Sequence, residues 1–328
     1  MNKVTLVIPN YNGIHFLKDC IDSLYENAGL PFDLIIIDNA STDGDYSFVN
    51  NYKNATFIKN QQNYGFAKAV NQGIKLAKTD YVVLLNNDTI VLKDYLKHFV
   101  NAIEQDSKIF SVSCLMICNY DRTLVDTAGD SYSLFGWAYK RCDGKKITDD
   151  KVNKRANIFS SCGGSVIYRR KIFDEIGYFD ENFFAYLEDI DVSYRALIHG
   201  YRNIYTPNAR VYHIGSCTTG GKYNSFKVKI SSRNNVYLPY KNMPLLQLII
   251  NLPFLFIGFF VKYIFYVKKG YAKEYTSGIK EGLSSLYKIK KTKFRLKNLH
   301  NYIKIEYLLI KNLFIYMFRY VNKLIKAW

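Results

Sequence analysis

The 328-residue sequence contains little proline and little cysteine, with six of each. So few prolines leave no room for a proline-rich linker. The cysteines form no C-x-x-C pair and have no regular spacing, which indicates reduced thiols in a cytosolic setting. A secretory signal is also absent, because the first apolar run, Val4–Ile8, is broken by Pro9 and Asn10. We therefore expect the mature protein to begin at Met1.

The composition that remains is that of a folded protein with an excess of positive charge. Hydrophobic residues make up 48% of the sequence and aromatic residues 16%, enough for a substantial core and for one large domain or two. This excludes a disordered or fibrous protein. The net charge is +17, and +12 of it lies in residues 268–328. The charge is thus a property of the C-terminal tail.

A strongly apolar segment, Pro244–Val267, precedes the basic tail. Its longest unbroken stretch, Leu252–Val261, is about half of the roughly 20 residues that a spanning helix needs. We predict a membrane segment that lies in the plane of the membrane or re-enters it. The alternatives are a tilted spanning helix and a buried core helix. The segment is interrupted by four residues: Gln247, Asn251, Pro253 and Lys262.

The tail itself is predicted to form an amphipathic basic helix over Tyr302–Ile325, after the basic stretch Lys288–Lys297. Such a face is attracted to anionic lipid head groups by about 1 kcal/mol for each basic residue. The alternative is a helix in an oligomer interface. Nucleic acid is disfavoured, because no DNA- or RNA-binding pattern accompanies the charge. The residues on the predicted basic face are Lys304, Lys311, Arg319, Asn322 and Lys326.

Strand-like and helix-like segments alternate along the first 103 residues. Four consecutive βα units predict an α/β fold with a mostly parallel, doubly wound sheet. Ligands of such sheets bind beyond the carboxyl ends of the strands, where the strand order reverses. The predicted pairs are Val4–Ile8 with Ile14–Asn27, Leu34–Ile37 with Tyr46–Tyr52, Thr56–Ile58 with Phe66–Ala77, and Tyr81–Leu85 with Leu92–Ile103.

Polar side chains follow each of these predicted strands. A row of amides and carboxylates at one edge of a sheet suits a polar ligand such as a nucleotide. The common phosphate-binding loops, G-x-G-x-x-G after the first strand and G-x-x-x-x-G-K-[ST], are both missing, so dinucleotide and P-loop chemistry are disfavoured. The polar residues are Asn10 and Asn12, Asp38 and Asn39, Asn60 and Asn63, and Asn86, Asn87 and Asp88.

Asp88 and His213 are the candidate metal ligands. Asp88 follows a strand predicted to be buried, where a carboxylate needs a partner charge or a metal to offset its desolvation. Mg²⁺ or Mn²⁺ binds through one or two carboxylates and completes its coordination with water and substrate phosphates. The alternatives are that Asp88 caps the next helix and that His213 is an ordinary core or surface histidine.

Three acidic residues, Glu188, Asp189 and Asp191, open a predicted helix after the aromatic stretch Phe179–Leu187. Acidic residues in a first turn interact favourably with the helix dipole, which is the structural interpretation. The functional interpretation is that one of these carboxylates, partly desolvated by the aromatic rings, is a general base for an acceptor hydroxyl.

Two arginines are candidates for supporting roles. Arg195 follows Glu188 by seven residues, on the same face of the predicted helix, and is expected to orient it. Arg233 precedes the apolar segment and is a candidate for gripping a diphosphate with two hydrogen bonds. A surface or interface arginine is the alternative for Arg233.

Taken together, six motifs in order resemble glycosyltransferase family 2, the inverting nucleotide-sugar enzymes of GT-A fold, and in particular its rhamnosyltransferase-like branch. The resemblance covers about residues 3–243. One motif would be weak support, but six in register are strong. The motifs are VTLVIPNYN (Val4–Asn12), DNASTD (Asp38–Asp43), NYGFAKAVN (Asn63–Asn71), NND (Asn86–Asp88), EDIDVSYR (Glu188–Arg195) and HIGS (His213–Ser216).

The resemblance implies roles for individual residues. It implies a divalent metal on Asp88, with His213 as a further metal or diphosphate contact, and Asp189 as the base. The family's metal motif is often D-x-D, whereas Asn86 stands in the first position here. For the donor, it implies nucleoside contacts from Pro9, Asn10 and Asp38, and a donor pocket shaped by Asn63, Gly65 and Asn71.

These expectations combine into an inverting glycosyltransferase that moves a sugar from dTDP-rhamnose or a UDP-sugar to a lipid-linked glycan at the cytoplasmic face of the membrane. Residues 1–120 would form the donor half, 121–243 the acceptor half, 244–267 the membrane segment and 268–328 the basic tail. A homo-oligomer is compatible with the sequence. The alternatives are a nucleotidyltransferase and a membrane-bound scaffold that has lost catalysis.

Overall fold

A ten-stranded mixed sheet forms the centre of the molecule, in a computed structural model that describes residues 2–215 and 223–325. A separate two-stranded hairpin, β8–β9, lies beside it. The strands are β1 (Val4–Asn10), β2 (Asp33–Asp38), β3 (Ala55–Lys59), β4 (Tyr81–Leu85), β5 (Thr89–Val91), β6 (Ile109–Cys118), β7 (Val125–Thr127), β8 (Asp130–Tyr132), β9 (Ala138–Lys140), β10 (Ala156–Ile158), β11 (Ser165–Arg169) and β12 (Arg202–His213).

The strand order, β10-β12-β6-β11-β4-β1-β2-β3, reverses direction at β1. The chain first runs outward from β1 through β2 to β3 and then returns to place β4 on the other side of β1. These four strands are parallel, whereas β11 inserts antiparallel between β4 and β6. The switch point of the sheet is therefore the crevice beyond the carboxyl ends of β1 and β4.

Helices cover both faces of the sheet and extend it at the C-terminal end. Short 3₁₀ turns occupy Ser47–Asn51, Glu181–Phe183, Leu286–Lys288 and Leu296–Asn298. The helices are α1 (Ile14–Asn27), α2 (Phe66–Leu76), α3 (Tyr95–Ile103), α4 (Ile172–Ile176), α5 (Glu188–Ile198), α6 (Ser225–Asn242), α7 (Leu245–Lys268), α8 (Ala272–Ser284) and α9 (Leu299–Ile325).

The core has three layers because each parallel strand is apolar on both faces. On β1, Leu6 and Ile8 pack with α1 and α3 on one side, whereas Val7 packs with α2 on the other. A third cluster joins α5, α6 and α9 to the β8–β9 hairpin, with Tyr194 and Tyr237 at its centre. The C-terminal helices are thus attached to the face that carries α5.

The predicted α/β fold is confirmed, with local corrections. The helix predicted over Tyr46–Tyr52 is a five-residue 3₁₀ turn, and α3 begins at Tyr95 instead of Leu92. Asp88 does not cap a helix, because the next residue starts β5, which pairs with β12. That structural explanation for Asp88 is therefore wrong.

Helix α7 runs without a break through Pro253, and it lies along the protein surface. One stripe of it packs on the domain: Asn251 donates to Glu306 over 2.9 Å, and the Gly258 carbonyl accepts from the Trp137 indole over 3.1 Å. A Cβ at Gly258 would lie 2.1 Å from the Phe135 carbonyl oxygen, so only glycine permits this approach. The rest of α7 is exposed and apolar, which excludes the buried core helix.

By length and composition, α7 alone among the described helices is apolar enough to cross a membrane, with a mean hydropathy of 2.0. Its lengthwise packing on the domain favours a position in the membrane plane. The in-plane segment stays a prediction, since hydropathy is shared by spanning and surface helices.

Helix α9 contains the segment predicted as an amphipathic helix. Ile305, Leu309 and Leu313 bury one face of it against the third core cluster. Parts of two sequence predictions lie outside the described residues: Lys326 of the basic face and Ser216 of the HIGS motif.

Candidate active site

Amide side chains at the switch point form one hydrogen-bonded network. Asn10 ends β1, and its Nδ2 donates to Asp38 Oδ1 at the end of β2 over 2.7 Å. Asn87, after β4, donates from Nδ2 to Asn10 Oδ1 over 2.7 Å. The structure thus brings together three predicted donor residues from three adjacent strands, because the parallel register places their carboxyl ends at one edge. We call this edge, formed by Asn10, Asp38, Asn87 and the residues around them, the donor edge after that prediction.

The DNAST segment forms a turn that supports this network. Ser41 donates its backbone N–H to Asp38 Oδ2 over 3.0 Å and its hydroxyl to Asp38 Oδ1. Asn12 donates its backbone N–H to Ser41 Oγ over 2.8 Å and accepts from the Thr42 N–H over 2.9 Å. Asp38 is fully buried and bonded on both oxygens, so in this structure it holds the turn in place. Direct contacts of Pro9, Asn10 and Asp38 with a nucleoside stay predictions.

Asp88 and His213 meet on the other side of the crevice. Asp88 is 5% exposed, and its Oδ2 lies 3.5 Å from His213 Nε2. His213 reaches this position because the end of β12 pairs with β5, directly after Asp88. Its second nitrogen, Nδ1, is 2.9 Å from Asp126 Oδ2, and Asp126 in turn pairs with Lys140 over 2.5 Å.

Neighbouring opposite charges set the protonation of His213 and Asp126. Burial lowers the pKa of His213, but the hydrogen bonds and charges of Asp126 and Asp88 outweigh it and raise the pKa to about 9. Burial would raise the pKa of Asp126, but His213 and Lys140 hold it at about 2. At neutral pH the His213 side chain is therefore an imidazolium that pairs with the Asp126 carboxylate.

The residues present fit a divalent cation. Among the residues that the structure describes, none hydrogen-bonds to the buried Asp88 Oδ1, so the carboxylate that approaches His213 through Oδ2 has a second oxygen available for a ligand. Asp126 on the far nitrogen is the arrangement that orients a metal-binding histidine. Mg²⁺ and Mn²⁺ accept oxygen and imidazole ligands. Sequence reasoning missed Asp126 and Lys140, because neither belongs to a recognisable motif.

The NYG segment joins the donor edge to the aromatic stretch before α5. Asn63 Oδ1 accepts the Gly65 N–H over 2.9 Å. Gly65 has a φ of 83°, and a Cβ there would lie 2.6 Å from Phe184, so glycine is required. The Phe184 carbonyl accepts the Ala67 N–H over 3.1 Å. These contacts fix the NYG segment against the aromatic stretch before α5.

The side chain of Asn71 is buried and hydrogen-bonded to other parts of the protein. Its amide exchanges two hydrogen bonds with the Phe179 backbone, over 2.9 and 3.1 Å, and donates to Glu181 over 3.1 Å. It is 2% exposed. Asn71 shapes the site by tying α2 to the aromatic stretch, and its contact with a donor stays a prediction.

The aromatic stretch before α5 is held in an unusual conformation by Asn234 of α6. Phe184, Tyr186 and Leu187 all have positive φ, between 63° and 70°. The Asn234 Nδ2 lies 2.7–2.9 Å from three carbonyl oxygens in this stretch. Non-glycine residues in this region carry strain, which is common where a structure presents a functional group. The group presented here is the start of α5.

Asp189 and Glu188 begin α5 in different environments. Asp189 accepts the backbone N–H groups of Gly163 over 3.1 Å and of its own neighbour Ile190 over 2.8 Å. Burial nevertheless raises the pKa of Asp189. Burial and the Asp189 charge raise the pKa of Glu188 well above its usual range, and no described residue hydrogen-bonds to Glu188 Oε2. Of the two, Asp189 is the carboxylate equipped to ionise.

A second carboxylate, Asp130 at the start of β8, lies beside Asp189. Ligand atoms of Asp130, Asp189 and Cys162 are all within 4.8 Å of one another. Burial and the Asp189 charge raise the pKa of Asp130 to about 8. Sequence reasoning missed Asp130, because it comes from a short hairpin with no motif.

The structure corrects the role of Arg195 and gives Arg233 partners within the protein, while the diphosphate contact of Arg233 stays a prediction. Arg195 pairs with Asp191 over 2.8 Å and donates to the Tyr178 carbonyl, so it does not orient Glu188. Arg233 donates to Glu281 over 3.1 Å and to the Phe183 carbonyl over 3.0 Å. It thereby links α6, α8 and the aromatic stretch, and its predicted grip on a diphosphate would require these bonds to break.

The family model for glycosyl transferase family 2 matches residues 5–177, more than half of the chain. The chain belongs to this family. The match spans the whole donor edge, from β1 through β11. Asp189, His213 and Asn234 lie beyond the matched residues, so their assignment depends on the geometry described above.

Curated relatives are about one quarter identical to the chain over the aligned residues. Poly-beta-1,6-N-acetyl-D-glucosamine synthase of Staphylococcus aureus is 27% identical over 222 residues, which are 66% of this chain and 51% of the relative. An uncharacterized glycosyltransferase of Rickettsia typhi is 25% identical over 195 residues, 59% of this chain and 58% of the relative. The chain thus spans about half the length of the curated relatives that it matches.

Solved structures show the same GT-A fold at low identity. GalNAc-T7 with UDP, GalNAc and Mn²⁺ superposes with a TM-score of 0.57 at 17% identity, over 73% of this chain and 48% of that one. Residues 1–349 of S. aureus TarS with UDP-GlcNAc give 0.53 at 17% identity, over 77% and 70%. At these identities the likeness establishes the fold.

Proposed function

We propose that the protein is a metal-dependent, inverting glycosyltransferase that moves a sugar from a nucleotide-sugar to a hydroxyl of a lipid-linked glycan in cell-surface polysaccharide synthesis. The observation that carries this proposal is the Asp88 carboxylate at the switch point of the sheet: its Oδ2 lies 3.5 Å from His213 Nε2, and its buried Oδ1 has no hydrogen-bond partner among the described residues. A buried carboxylate oxygen without a partner is costly unless a ligand completes it.

Asp189 would act as the general base. Burial raises the pKa of Asp189, and a general base accepts a proton best when its pKa is near the working pH. Two backbone N–H groups orient its oxygens. Because a single base acts on the acceptor, with no second carboxylate required as a nucleophile, displacement proceeds with inversion. Glu188, held neutral by burial, would support the helix start instead of taking the proton.

The donor edge would bind the nucleoside diphosphate that leaves in the reaction. Asp88 and His213 would hold Mg²⁺ or Mn²⁺, which when bound neutralises charge on the diphosphate. Asn10, Asn87 and the turn after Asp38 line the crevice that would receive the nucleoside. The curated relative named for an N-acetylglucosamine polymer supports a UDP-linked amino sugar as donor beside dTDP-rhamnose.

A membrane location fits the acceptor. Exposed apolar side chains along α7 form a continuous apolar surface, and surfaces of this kind usually contact a membrane or another protein. A lipid-linked acceptor would be presented at such a surface. We therefore place the protein at the cytoplasmic face of the membrane, with α7 in the membrane plane.

Donor hydrolysis by the purified protein tests the proposal. Release of nucleoside diphosphate is measured across a panel of UDP- and dTDP-sugars, with and without Mn²⁺, for the wild type, Asp88→Asn and the control Asp121→Asn. We expect Mn²⁺-dependent release from one donor, lost in Asp88→Asn and kept in the control. No release, together with no donor binding by calorimetry in the presence of membranes, would favour the non-catalytic scaffold.

A further inference from the structure

A large groove lies away from the donor edge, between α9 and the far side of the sheet. It has a volume of about 1100 Å³. The β8–β9 hairpin forms one wall, the β10–β12 edge the floor, and α9 the other wall. Tyr139 fastens α9 to the hairpin by donating to the Asn312 carbonyl over 2.7 Å. None of the predicted donor, metal or base residues lines it.

Positive charge dominates the groove. Eight of its lining residues are basic and one, Asp106, is acidic. Among the described residues, Lys145 pairs with Asp149 and Arg202 with Asp106, whereas no carboxylate pairs with the other basic side chains of the lining. Like charges around one cavity repel, so the groove is suited to an anion. The basic lining residues are Lys108, Arg141, Lys145, Lys151, Arg202, Lys304, Lys311 and Arg319.

The wall that α9 contributes is apolar as well as basic. Phe314 and Phe318, which are 67% and 69% exposed, stand on the same wall as Lys304 and Lys311. A free inorganic phosphate would gain nothing from exposed phenylalanines. Cations beside exposed hydrocarbon match a molecule with an anionic head and an apolar chain.

We propose that this groove binds the phosphate-bearing head group of a lipid, with the lipid's hydrocarbon chain against the exposed face of α9. The inference deepens the membrane association proposed above and rests on it. The phosphate could belong to a bilayer phospholipid or to a prenyl phosphate carrier, since both present the same chemistry.

The hairpin places this groove next to the catalytic centre. Tyr139 and Arg141 line the groove, whereas Lys140, between them on the strand, turns to Asp126 beneath His213. Alternation along β9 therefore separates the lipid site from the metal site by the thickness of one strand. A lipid seated here would hold the membrane close to the acceptor side of the enzyme.

Vesicle co-flotation of the full chain tests the proposal. The probes are vesicles of phosphatidylcholine alone and vesicles mixed with phosphatidylglycerol. The variant is Lys304→Ala with Lys311→Ala, and the matched control is Lys290→Ala with Lys293→Ala, which removes the same charge outside the groove. Because each lysine near an anionic surface contributes about five-fold, we expect the groove variant to lose roughly thirty-fold in affinity for mixed vesicles and the control only a few-fold.

Several outcomes would overturn the inference. Equal losses in the two variants would indicate general charge attraction, and unchanged binding of the groove variant would remove the site. A change of sedimentation from dimer to monomer in the groove variant, without a change in lipid binding, would assign the groove to a second copy of the chain.

The source of the phosphate is separated by calorimetry with a short-chain prenyl phosphate and with inorganic phosphate. Binding of the prenyl phosphate by the wild type, weakened in the groove variant, would support the carrier as the source; binding confined to mixed vesicles would support bilayer phospholipid. Binding of inorganic phosphate as tightly as of both lipids would contradict a lipid site. Donor hydrolysis, measured without lipid, reports separately on the proposed function and should be unchanged in the groove variant.

Discussion

The donor edge and the C-terminal helices depart from ordinary burial in opposite ways. At the donor edge, polar side chains such as Asn10 and Asp38 are buried and bonded to one another. Asp88 has one oxygen near His213 and a second, buried oxygen that has no hydrogen-bond partner among the described residues. Along α7 and α9, by contrast, large apolar side chains are exposed. A buried acceptor and an exposed apolar face each favour an interaction with something outside the chain. In the function proposed above, a cation binds at the first and a lipid surface covers the second.

The largest effect is expected at the donor edge, from the general base. Asp189→Asn should lower transfer by about 10²–10⁴-fold, because the amide cannot accept the acceptor proton, while donor affinity changes little. Glu188→Gln is the matched control: because burial and the Asp189 charge raise the pKa of Glu188 well above its usual range, an uncharged amide of the same shape should keep most of the activity. Initial rates and donor calorimetry on both variants provide the check. Comparable losses in the two would show that the helix start matters as a unit and would remove Asp189 as the base.

On neutral vesicles, binding by the C-terminal region should depend on the exposed apolar area of α7. Phe256 and Phe260 on α7 are 65% and 63% exposed. Replacing both by serine should weaken binding to neutral phosphatidylcholine vesicles by roughly 10- to 100-fold, since each buried phenylalanine contributes about 1.5–3 kcal/mol. Leu76→Ser, an exposed apolar residue on α2, should change nothing. Equal effects of the two changes would show that α7 is not the membrane-facing element.

The metal centre should depend on a residue that does not face the metal. Asp126→Asn removes the negative charge on His213 Nδ1 and should weaken Mn²⁺ binding by about 10- to 100-fold. Binding should also tighten as the pH rises toward 9, because the pKa of His213 is raised to about 9 and the imidazole must lose its proton to coordinate. Titration with Mn²⁺ at several pH values measures both, with Asp121→Asn as the control. Affinity independent of pH in the wild type would exclude His213 as a ligand.

A smaller effect on catalysis is expected from the clamp on the strained stretch. Asn234→Ala removes three close contacts to carbonyl oxygens and lets the residues before α5 relax from positive φ. Transfer should fall by about 10-fold through the rate constant, with donor affinity kept, because the change moves Asp189 and leaves the donor edge intact. Asn182→Ala, an exposed position in the same region, is the comparison. A fall in donor affinity with no change in rate would contradict a positioning role.

The smallest effect concerns stability. Because burial and the Asp189 charge raise the pKa of Asp130 to about 8, the folded protein binds a proton there that the unfolded chain releases near pH 4. This carboxyl therefore destabilises the fold progressively as the pH rises from about 4 to about 8. Asp130→Asn should therefore stabilise the protein at pH 8 and leave its stability unchanged at pH 4, measured by urea unfolding. A gain of equal size at both pH values would point to a cause other than titration.

Much of the fold was predictable because its determinants are local. The apolar runs of β1 and β4 and the helical periodicity of α1 and α2 are each contained in a few consecutive residues. The polar residues that end those strands could therefore be assigned to one edge. The 3₁₀ turn at Ser47–Asn51 was mistaken for a helix because a five-residue segment does not separate the two periods.

The site was predictable where motifs mark it and not where partners are distant. Asp88, His213 and Asp189 belong to motifs, but Asp126 meets His213 across 87 residues of sequence and Asn234 reaches Phe183 across 51. Arg195 was assigned to Glu188 on helical spacing, yet it pairs with Asp191 one turn away, where three backbone carbonyls complete its guanidinium.

By itself, the sequence determined the α/β order, the polar strand ends and the basic, apolar C-terminus, because each depends on hydrophobic period and composition within a short window. Tertiary structure decided which carboxylate stands behind His213, which one lies beside Asp189, and that the lysines of α9 line a groove. Those outcomes depend on strand register and helix packing, and register is fixed only when distant segments pair and bury their apolar faces together.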